Sequence, residues 1–344
     1  MNHDSTEVPR PPVILPDIPV ADPFVETIAF NAAEVLLAGW SSETDELGLI
    51  TGSAAAVIAA DIDNEASDPQ SRAYFEFAER FASALARLQL DASKPARTLA
   101  GAELEAIASE VVFPRDAQPL DWRWSHSNGV ALHTEWRLAC RAALFEIYER
   151  DALLRSWAGT TAPRRLTVPD GDLALFAPSH RLELYDLACD RWSPSLSSVI
   201  GAQVALAWPL VEGAPFMLAA AADSCRERAQ KRAIAECLQG TAFLIGAEWE
   251  ESELRPTPHP SFHQAYYQRP HHRDQLRHWL DGGHVQGDLA TQSVGQPWDE
   301  RFVVLTPPKW RGLVHVVKAI VPAAQALFFG YDAQRTFPQP HPFA

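Results

Sequence analysis

The sequence predicts an α/β protein of the α+β type, in which helices pack against mixed or antiparallel sheets. Apolar residues recur at helical spacing in residues 68–90, 134–157 and 224–245. Strand-like apolar runs separated by prolines occupy residues 181–220. A chain of 344 residues that is 47% hydrophobic can bury a large core, so these elements can belong to one folded unit.

The first part of the chain is expected to be extended and then helical. Residues 1–23 contain six prolines, a density that no helix tolerates, so we predict a proline-rich extended lead-in. Apolar spacing predicts a first helix over residues 24–40 and a stronger one over residues 68–90. From residue 24 to residue 344 we expect a single domain. The stronger helix places these apolar residues on one face: Tyr74, Phe77, Phe81 and Leu85.

The middle of the chain alternates turns, helices and strands. Residues 121–129 (DWRWSHSNG) have the composition of a turn, in which Gly129 would take a positive φ. A long helix is predicted to follow over residues 134–157. After the strands, a helix is predicted from Ser224, with Glu227 completing a capping box at its start.

The last part of the chain has the weakest pattern. Residues 255–300 are rich in Pro, His and Gly, which predicts an irregular connection with one short helix near residues 273–280. The six histidines between His259 and His284 match no zinc-site spacing, so this segment is interpreted as a surface loop. The remaining elements are strands at residues 303–305 and 314–321 and an extended proline tail at residues 337–344 (FPQPHPFA).

Composition and charge exclude several classes of protein. A formal net charge of −15 argues against a general nucleic-acid binder, which needs a basic face. No run of 18 apolar residues indicates a membrane span, and the polar N-terminus lacks a signal core, so we expect a cytoplasmic protein. The cysteines form no CxxC pair and are expected to be reduced thiols: Cys140, Cys189, Cys225 and Cys237.

Two short segments resemble each other. Residues 75–81 (FEFAERF) and residues 145–151 (FEIYERD) both place Glu-x-x-Glu-Arg on an aromatic-rich helix. One pair of similar segments is too little for a solenoid, which needs several repeats. It is instead consistent with an approximate internal twofold in which two helices face each other.

Three predicted helices carry paired polar groups on one face. Residues at positions i and i+3 of a helix project together, so each pair presents two ligand groups side by side. Paired carboxylates in apolar surroundings repel each other, and Mg²⁺ that bridges them to phosphates is a natural partner. The alternative, a solvated helix face with internal ion pairs, stays open for each copy. The pairs are Glu76 with Glu79, Glu146 with Glu149, and Glu236 with Gln239, and Arg80 and Arg150 follow the first two as candidate phosphate ligands.

Longer motifs resemble the YcaO family in the right order along the chain. Residues 127–152 (SNGVALHTEWRLACRAALFEIYERDA) resemble the family's SNG-x-A turn and its helix ending in E-x-x-ERDA. Residues 182–194 resemble its strand with two Asp and a Pro. Residues 229–239 (AQKRAIAECLQ) resemble its third acidic helix, and residues 316–330 its VVK-x-x-VP segment. The ending at residues 338–342 (PQPHP) is typical of the peptide-cyclising members.

The resemblance implies a YcaO-like fold, with helices around a site for ATP and Mg²⁺. It implies that the carboxylate of Ala344, at the end of the PxPxP tail, acts as the catalytic base. The implied metal ligands are Glu76, Glu79, Glu146 and Glu149. The implied ATP and phosphate ligands are Arg80, Arg150, Glu236, Gln239, Ser127 and Asn128.

Several positions depart from the family pattern, and they bear on ATP turnover rather than on the fold. A GKG segment of many members aligns with Asp61, Ile62 and Asp63. Glu135, one turn before a lost acid, is a candidate substitute for it. The other departures are His133 and Thr134 in place of Gly-Asn, Leu138 in place of that acid, and Thr241 in place of an Arg.

The resemblance implies ATP-dependent activation of backbone amides in a ribosomally made peptide, giving thiazoline or oxazoline rings. The alternatives are a related enzyme that forms a thioamide or amidine, and a non-catalytic relative that binds peptide or partner. The implied partners are the precursor peptide and a separate leader-binding protein that resembles ubiquitin-activating enzymes. A flavin dehydrogenase in the same complex and a homodimer are compatible with the resemblance; nucleic acid and membrane are not expected.

Overall fold

Antiparallel sheets with helices packed on them make up the part of the chain that the structure describes. The computed structural model describes residues 15–18, 23–31, 33–57, 68–88, 93–114, 122–247, 259–283, 299–330 and 340–342. The strands are β1 (Phe24–Phe30), β2 (Ala33–Thr44), β3 (Gly48–Val57), β4 (Lys94–Arg97), β5 (Glu103–Ile107), β6 (Trp122–Trp124), β7 (Val130–His133), β8 (Pro163–Leu166), β9 (His180–Ser193), β10 (Ser198–Pro209), β11 (Met217–Asp223), β12 (Arg301–Val304), β13 (His315–Ile320) and β14 (Phe328–Gly330). The helices are α1 (Pro69–Leu88), α2 (Ser109–Val112), α3 (Trp136–Trp157), α4 (Asp170–Phe176), α5 (Arg226–Phe243), α6 (Pro260–Gln268) and α7 (Arg273–Leu280).

The strands form separate sheets that surround the three long helices. The sheet orders are β1-β2-β3, β11-β10-β9-β8, β5-β4-β12-β13-β7 and β14-β6. Helix α1 packs on β2 and β3, α3 packs on β7 and β13, and α5 packs on β10 and β11. This mixed α/β architecture with antiparallel sheets confirms the predicted fold class. The internal twofold and the single-domain organisation stay predictions.

Helix α1 forms where the sequence predicts it, because its apolar stripe packs into a buried cluster with the five-stranded sheet while its other side lies on β2 and β3. Tyr74 and Phe77 are buried on this face. At its start, the carboxylate of Asp68 accepts hydrogen bonds from the backbone N–H groups at the first turn. Gly52 of β3 allows the close approach, since a Cβ there would lie 2.3 Å from the backbone nitrogen of Phe77. The glutamates of α1 are thereby held against the sheet.

Helix α5 forms as predicted, but its start differs from the prediction. The helix begins at Arg226, and the capping box of Ser224 and Glu227 does not form. Asp223 caps the entrance instead: its Oδ1 accepts a hydrogen bond from the N–H of Cys225 at 2.8 Å. Asp223 is the last residue of β11, so its carboxylate connects the end of this strand with the start of α5.

The predicted helix over residues 24–40 is wrong, because this segment is the hairpin of β1 and β2. Phe24 pairs with Gly39 in antiparallel register. Asn31 makes the turn with a φ of +52°, a conformation that Asn adopts more readily than most residues. The hairpin buries Val35 and Leu37 against α5. Short apolar runs do not distinguish strand from helix, and here tertiary contacts decide.

The interpretation of the histidine-rich segment as a surface loop is also wrong. Helices α6 and α7 occupy much of it, and of these only α7 was predicted. His263 on α6 is fully buried, and α6 packs against β14. His259 caps α6 by accepting a hydrogen bond from the N–H of Ser261 at 3.2 Å. The polar residue His263 lies on the buried face of this helix, which concealed its amphipathic character.

The described part of the predicted lead-in is packed onto α1. The N–H of Leu15 donates to the hydroxyl of Tyr74 at 2.9 Å, and the carbonyl of Pro16 accepts from the indole of Trp310 at 2.8 Å. The rest of residues 1–22 lies outside the described residues. In the described part of the chain, no helix combines the length and the apolar character that crossing a membrane requires.

Candidate functional site

The acidic faces of α1, α3 and α5 meet in one cluster of carboxylates. Glu79 interacts electrostatically with Glu76 of its own helix and with Glu146 of α3. Glu149 interacts with Glu146 and with Glu236 of α5. Glu236 in turn interacts with Glu76 and Glu146. The structure therefore brings together both predicted Glu pairs and the acid of the third helix, which we call the carboxylate cluster.

The predicted arginines lie within this cluster. Arg80 forms an ion pair with Glu76 at 2.5 Å, and it also donates to the carbonyl of Thr51 at 2.9 Å. Arg150 lies beside Glu149 with an Nη1 to Oε1 distance of 3.4 Å. Because both guanidinium groups keep further N–H donors, they remain able to bind phosphate oxygens.

Three further cations, which the sequence interpretation missed, also face the carboxylates. Arg72 interacts with Glu76 and Glu236, and Lys318 of β13 interacts with Glu146. Arg232 lies 3.9 Å from Glu236. Arg72 and Arg232 each stand four residues before a predicted glutamate, so their spacing was a usable signal. Lys318 belongs to the VVK motif, but no local pattern connects it with the helices.

Backbone amides hold three of the carboxylates in place. The amides come from β3, from β7 and from the turn before β7, so the sheets fix the positions of acids that the helices carry. The hydrogen bonds run from Ser53 N to Glu76 Oε2 at 2.8 Å, from Leu132 N to Glu79 Oε2 at 3.0 Å, and from Gly129 N to Glu146 Oε2 at 3.2 Å. Each carboxylate keeps a second oxygen for another partner.

The surroundings raise the pKa values of these carboxyl groups. Burial raises the pKa of Glu79 well above its ordinary range, and the charges of Glu146 and Glu76 raise it further. Burial, followed by the charges of Glu236 and Glu146, raises the pKa of Glu149 to about 8 against the opposing effect of Arg150. A raised pKa means that burial and neighbouring acids disfavour the ionised form more than the nearby cations favour it. A bound cation would favour the ionised form.

Glu236 lies at the open side of the cluster. Its side chain is 48% accessible, although the protein around it still desolvates the carboxylate and raises its pKa. Gln239, one turn further along α5, donates its amide to the carbonyl of Ser53 at 3.5 Å. Gln239 thus connects α5 with β3, and Glu236 keeps about half of its side chain accessible to solvent.

The predicted SNG turn borders the cluster. Gly129 has a φ of +71°, as predicted, and a Cβ there would lie 2.5 Å from the side chain of Ile147 on α3. Ser127 is exposed and Asn128 is buried. Lys318 donates to the backbone carbonyls of the turn, and burial lowers its pKa to about 8 in opposition to Glu146.

The donor chemistry of the cluster fits a magnesium nucleotide. Carboxylate oxygens suit Mg²⁺, and guanidinium groups suit phosphate. Two of the buried atoms that lack a hydrogen-bond partner among the described residues belong to this site: Nε of Arg150, a donor, and Oδ1 of Asn128, an acceptor. In the same part of the chain, no three His, Cys, Asp or Glu side chains are grouped as ligands of one metal ion. To bind Mg²⁺, the glutamates would therefore have to leave some of their present partners.

The described part of the C-terminal tail is docked rather than loose. Residues 340–342 are buried. The carbonyl of Pro340 accepts from the hydroxyl of Tyr267 at 2.5 Å, and the carbonyl of His341 accepts from Nδ1 of His263 at 2.8 Å. Nε2 of His263 accepts from the N–H of Gly330 at 2.9 Å, and burial lowers the pKa of this imidazole to about 4. Ala344, the predicted catalytic terminus, lies outside the described residues.

The positions that depart from the family pattern have varied surroundings. Leu138 is 37% exposed on α3. Thr241 is buried and its hydroxyl donates to the carbonyl of Cys237 at 2.7 Å, so it is committed to its own helix. Glu135 is exposed at the N-cap of α3, and its N–H donates to Nδ1 of His133 at 3.0 Å. Residues 61–63 lie outside the described residues.

Comparison with known families identifies the family to which the chain belongs. Residues 28–325 match the family model described as YcaO cyclodehydratase, ATP- and Mg²⁺-binding. The chain belongs to the YcaO family. This membership confirms the resemblance seen in the motifs, and it makes the chain a member of a family of ATP-dependent enzymes that bind Mg²⁺. No protein of curated function matches the chain significantly in sequence.

Solved YcaO structures share the fold at low identity. The YcaO protein of Methanopyrus kandleri, bound with AMPPCP and Mg²⁺, is 15% identical with a TM-score of 0.55, over 89% of this chain and 86% of that one. A chain of the E. coli microcin synthetase McbBCD complex with pro-MccB17 bound is 13% identical with a TM-score of 0.57, and the match covers 87% of each chain. A heterocyclase in complex with substrate and cofactor is 14% identical with a TM-score of 0.51, and the match covers 93% of this chain and 54% of that one. At these identities the likeness establishes the common fold.

Proposed function

We propose that this YcaO protein is an ATP-dependent cyclodehydratase, which converts Cys, Ser or Thr residues of a ribosomally made peptide into thiazoline or oxazoline rings. The observation that carries the proposal is the carboxylate cluster, where acids and cations from α1, α3 and α5 meet around unpaired polar atoms. The similar structures point the same way, since they include a heterocyclase with substrate and a microcin synthetase with its pro-peptide.

Each residue of the cluster has a role in this proposal. Bound ATP supplies the phosphoryl group that makes the amide oxygen a leaving group, and Mg²⁺ offsets the charge that moves. The two Glu pairs would hold Mg²⁺, while Arg80 and Arg150 would hold phosphate oxygens. Glu236, Gln239, Ser127 and Asn128 would orient the nucleotide. Because α1, α3 and α5 present the acids on faces that already meet, binding would require only a local change of side-chain partners.

The overall reaction balances with one ATP for each ring. The side-chain sulfur or oxygen of the peptide forms a bond to the preceding amide carbon and gives up its proton. The amide oxygen leaves as part of phosphate, ADP is released, and the amide nitrogen gives up its proton as the C=N double bond forms. We propose that the α-carboxylate of Ala344 accepts the proton of the nucleophile. The buried anchoring of Pro340 and His341 supports this role, because it limits where the last residues can go.

We propose that the peptide is presented by a separate leader-binding protein. In the microcin synthetase the similar chain is part of a complex. A leader-binding partner would raise the local concentration of the core peptide at the carboxylate cluster. Processing of a leader-bearing peptide should therefore be slow without the partner and fast with it.

Binding and turnover test the proposal in two steps. Calorimetry with AMPPCP is expected to give binding that requires Mg²⁺. Turnover with ATP and a precursor peptide should then release ADP and phosphate, with loss of one water from the peptide for each ring, as measured by mass spectrometry. Exchange of oxygen for sulfur would instead indicate a thioamide-forming enzyme. Absence of Mg²⁺-dependent binding would contradict the proposal.

Appending a tag to the C-terminus tests the proposed base. The tag keeps every residue and moves only the carboxylate, so ring formation should stop while AMPPCP binding remains. Deletion of residues 338–344 and substitution of the prolines at 338, 340 and 342 are the companion variants. Normal ring formation by the tagged protein would exclude a catalytic role for the carboxylate.

A second candidate is a YcaO protein that binds peptide or partner without hydrolysing ATP. Leu138 and Thr241 favour it, because the apolar Leu138 is exposed where the family has an acid, and Thr241 bonds within its own helix. The retained carboxylate cluster favours the enzyme. Phosphate release in the presence of peptide and partner distinguishes the two, since only the enzyme gives turnover.

A further inference from the structure

Lys318 is a buried cation in the five-stranded sheet. It lies in the middle of β13, where it pairs with Val130 of β7 and with Val303 of β12. Its side chain is 6% exposed. Burial of an ammonium group costs much hydration free energy unless other groups bind it. Its partners therefore indicate why a lysine occupies this position.

The ammonium group of this lysine binds the main chain of the turn before β7. It donates to the carbonyl oxygens of His126 and Asn128, both at 2.7 Å. The next residue of β13, Ala319, donates its N–H to the carbonyl of Gly129 at 2.8 Å. Three carbonyls of the turn are thus directed at one strand.

This arrangement decides where the N–H groups of the turn point. In a trans peptide, each N–H points away from the carbonyl that precedes it. The N–H groups of Ser127 and Gly129 therefore point away from the ammonium group. For Gly129 this direction leads to Oε2 of Glu146 at 3.2 Å, so this donor of the turn faces the carboxylate cluster.

The side chain of Asn128 supplies an independent observation. It is 6% exposed, and its Oδ1 has no hydrogen-bond partner among the described residues. A buried amide oxygen without a partner is costly, which indicates that a ligand or its bound water fills this place. The orientation of Asn128 depends on the carbonyl that Lys318 holds.

We propose that Lys318 is a positioning residue of the nucleotide site, whose ammonium group holds the turn so that Ser127, Asn128 and Gly129 face the ligand. Lys318 is 6% exposed and its ammonium group binds the carbonyls of the turn, so it would act on the nucleotide through the turn. This inference rests on the proposed function and adds a residue to the site. Without the ammonium group, two buried carbonyls would lose their partner and the turn would rearrange.

Replacement of the ammonium group by an apolar end tests the inference. The variant is Lys318→Met, and the matched control is Lys94→Met, since Lys94 is also 6% exposed and belongs to the same sheet. The dissociation constant of AMPPCP with Mg²⁺, measured by calorimetry, should rise about tenfold or more in Lys318→Met. Lys94→Met should bind AMPPCP as the wild type does.

A second measurement separates positioning from a merely structural role. Asn128→Ala should weaken binding in the wild type but have little further effect in Lys318→Met, because the turn is already displaced. Additive effects would contradict the inference, as would a lower melting temperature of Lys318→Met with an unchanged dissociation constant. If Lys318→Met does not fold, Lys318→Gln, which can still donate to one carbonyl, should give intermediate weakening, and unchanged binding would overturn the inference.

AMPPCP binding by the wild type distinguishes failure of the proposed function from failure of the proposed role of Lys318. If the wild type binds AMPPCP with Mg²⁺ and Lys318→Met binds it equally well, only the role of Lys318 is wrong. If the wild type does not bind AMPPCP, the proposed function fails and this inference fails with it.

Discussion

Buried carboxylates occur in two regions of the molecule, with opposite surroundings. On β9, Glu183 is 1% exposed and lies within 3.5 Å of three arginines, and Asp186 is paired with two more at 2.6 Å. Burial raises the pKa of Glu183, but the hydrogen bonds from Arg277 and Tyr185 outweigh it and leave the pKa lowered. In the carboxylate cluster, burial and neighbouring acids raise the pKa of Glu149.

The difference separates a group that stabilises the fold from one prepared for a ligand. On β9 the cations are supplied by the chain itself, so the charges are balanced in the absence of any ligand. In the cluster as many cations as acids are present, yet burial and the mutual repulsion of the acids keep the pKa of Glu149 raised. Mutations in the two regions should therefore affect different measurements.

The largest effect is expected from Glu149→Gln. Loss of one proposed metal ligand should lower ATP turnover at least about 100-fold, as measured by phosphate release at saturating ATP. The melting temperature of the nucleotide-free protein should not fall, because Gln keeps the volume and removes repulsion. Glu146→Gln should behave in the same way. Full turnover in both variants would refute the metal assignment.

The matched change on β9 is Glu183→Gln. It should lower the free energy of unfolding by about 2 kcal/mol, because three arginines lose their common charged acceptor. The loss stays below that of a fully buried pair, since the side chain of Arg165 is 63% accessible and can turn to water. Urea unfolding measures it. Reduced turnover per folded molecule would show that the two regions are not independent.

The two regions should also respond to pH with opposite sign. The folded state raises the pKa of Glu149 from 4.5 to about 8, so this group stabilises the fold at low pH and loses that effect as the pH rises through 8. The pKa of Glu183 is lowered, so this group stabilises the fold above its ordinary pKa and loses that effect in acid.

Melting curves of nucleotide-free protein in a chelator test this pH dependence. Glu149→Gln should remove part of the decline of stability between about pH 5 and pH 8. Glu183→Gln should remove part of the decline in acid. Parallel pH profiles for the wild type and both variants would contradict the assignment of opposite shifts.

The smallest effect on stability is expected for a buried hydrogen bond between two neutral groups. Tyr267→Phe removes the hydrogen bond to the carbonyl of Pro340, at a cost of about 1 kcal/mol in the free energy of unfolding. AMPPCP binding should not change, because the tail anchor is separate from the cluster. A loss as large as that of Glu183→Gln would show that charge does not decide the difference between the regions.

Long periodic segments were predictable, and short ones were not. Helices α1, α3 and α5 follow from their apolar stripes, since each spans several turns. The hairpin of β1 and β2 was predicted as a helix, because its apolar spacing fits both structures. Helix α6 was missed because its buried face contains His263, which is stable there only through contacts with Gly330 and His341.

The candidate site was predictable in its residues but not in its connections. The i and i+3 spacing indicated Glu76 with Glu79, Glu146 with Glu149, and Glu236 with Gln239, and family motifs supported all three helices. Their partners, by contrast, come from distant segments: the turn and strand at Gly129 and Leu132, and Ser53 of β3. Local sequence patterns do not report such pairings.

The sequence by itself determined that each helix carries its acids on one face, because 3.6 residues per turn place positions i and i+3 together. Only the tertiary structure decided that these faces meet and that Lys318 lies among them. Packing of α1, α3 and α5 between separate sheets brings the charges together, and burial there shifts their pKa values. Such shifts depend on distances between residues far apart in the chain, which no local pattern contains.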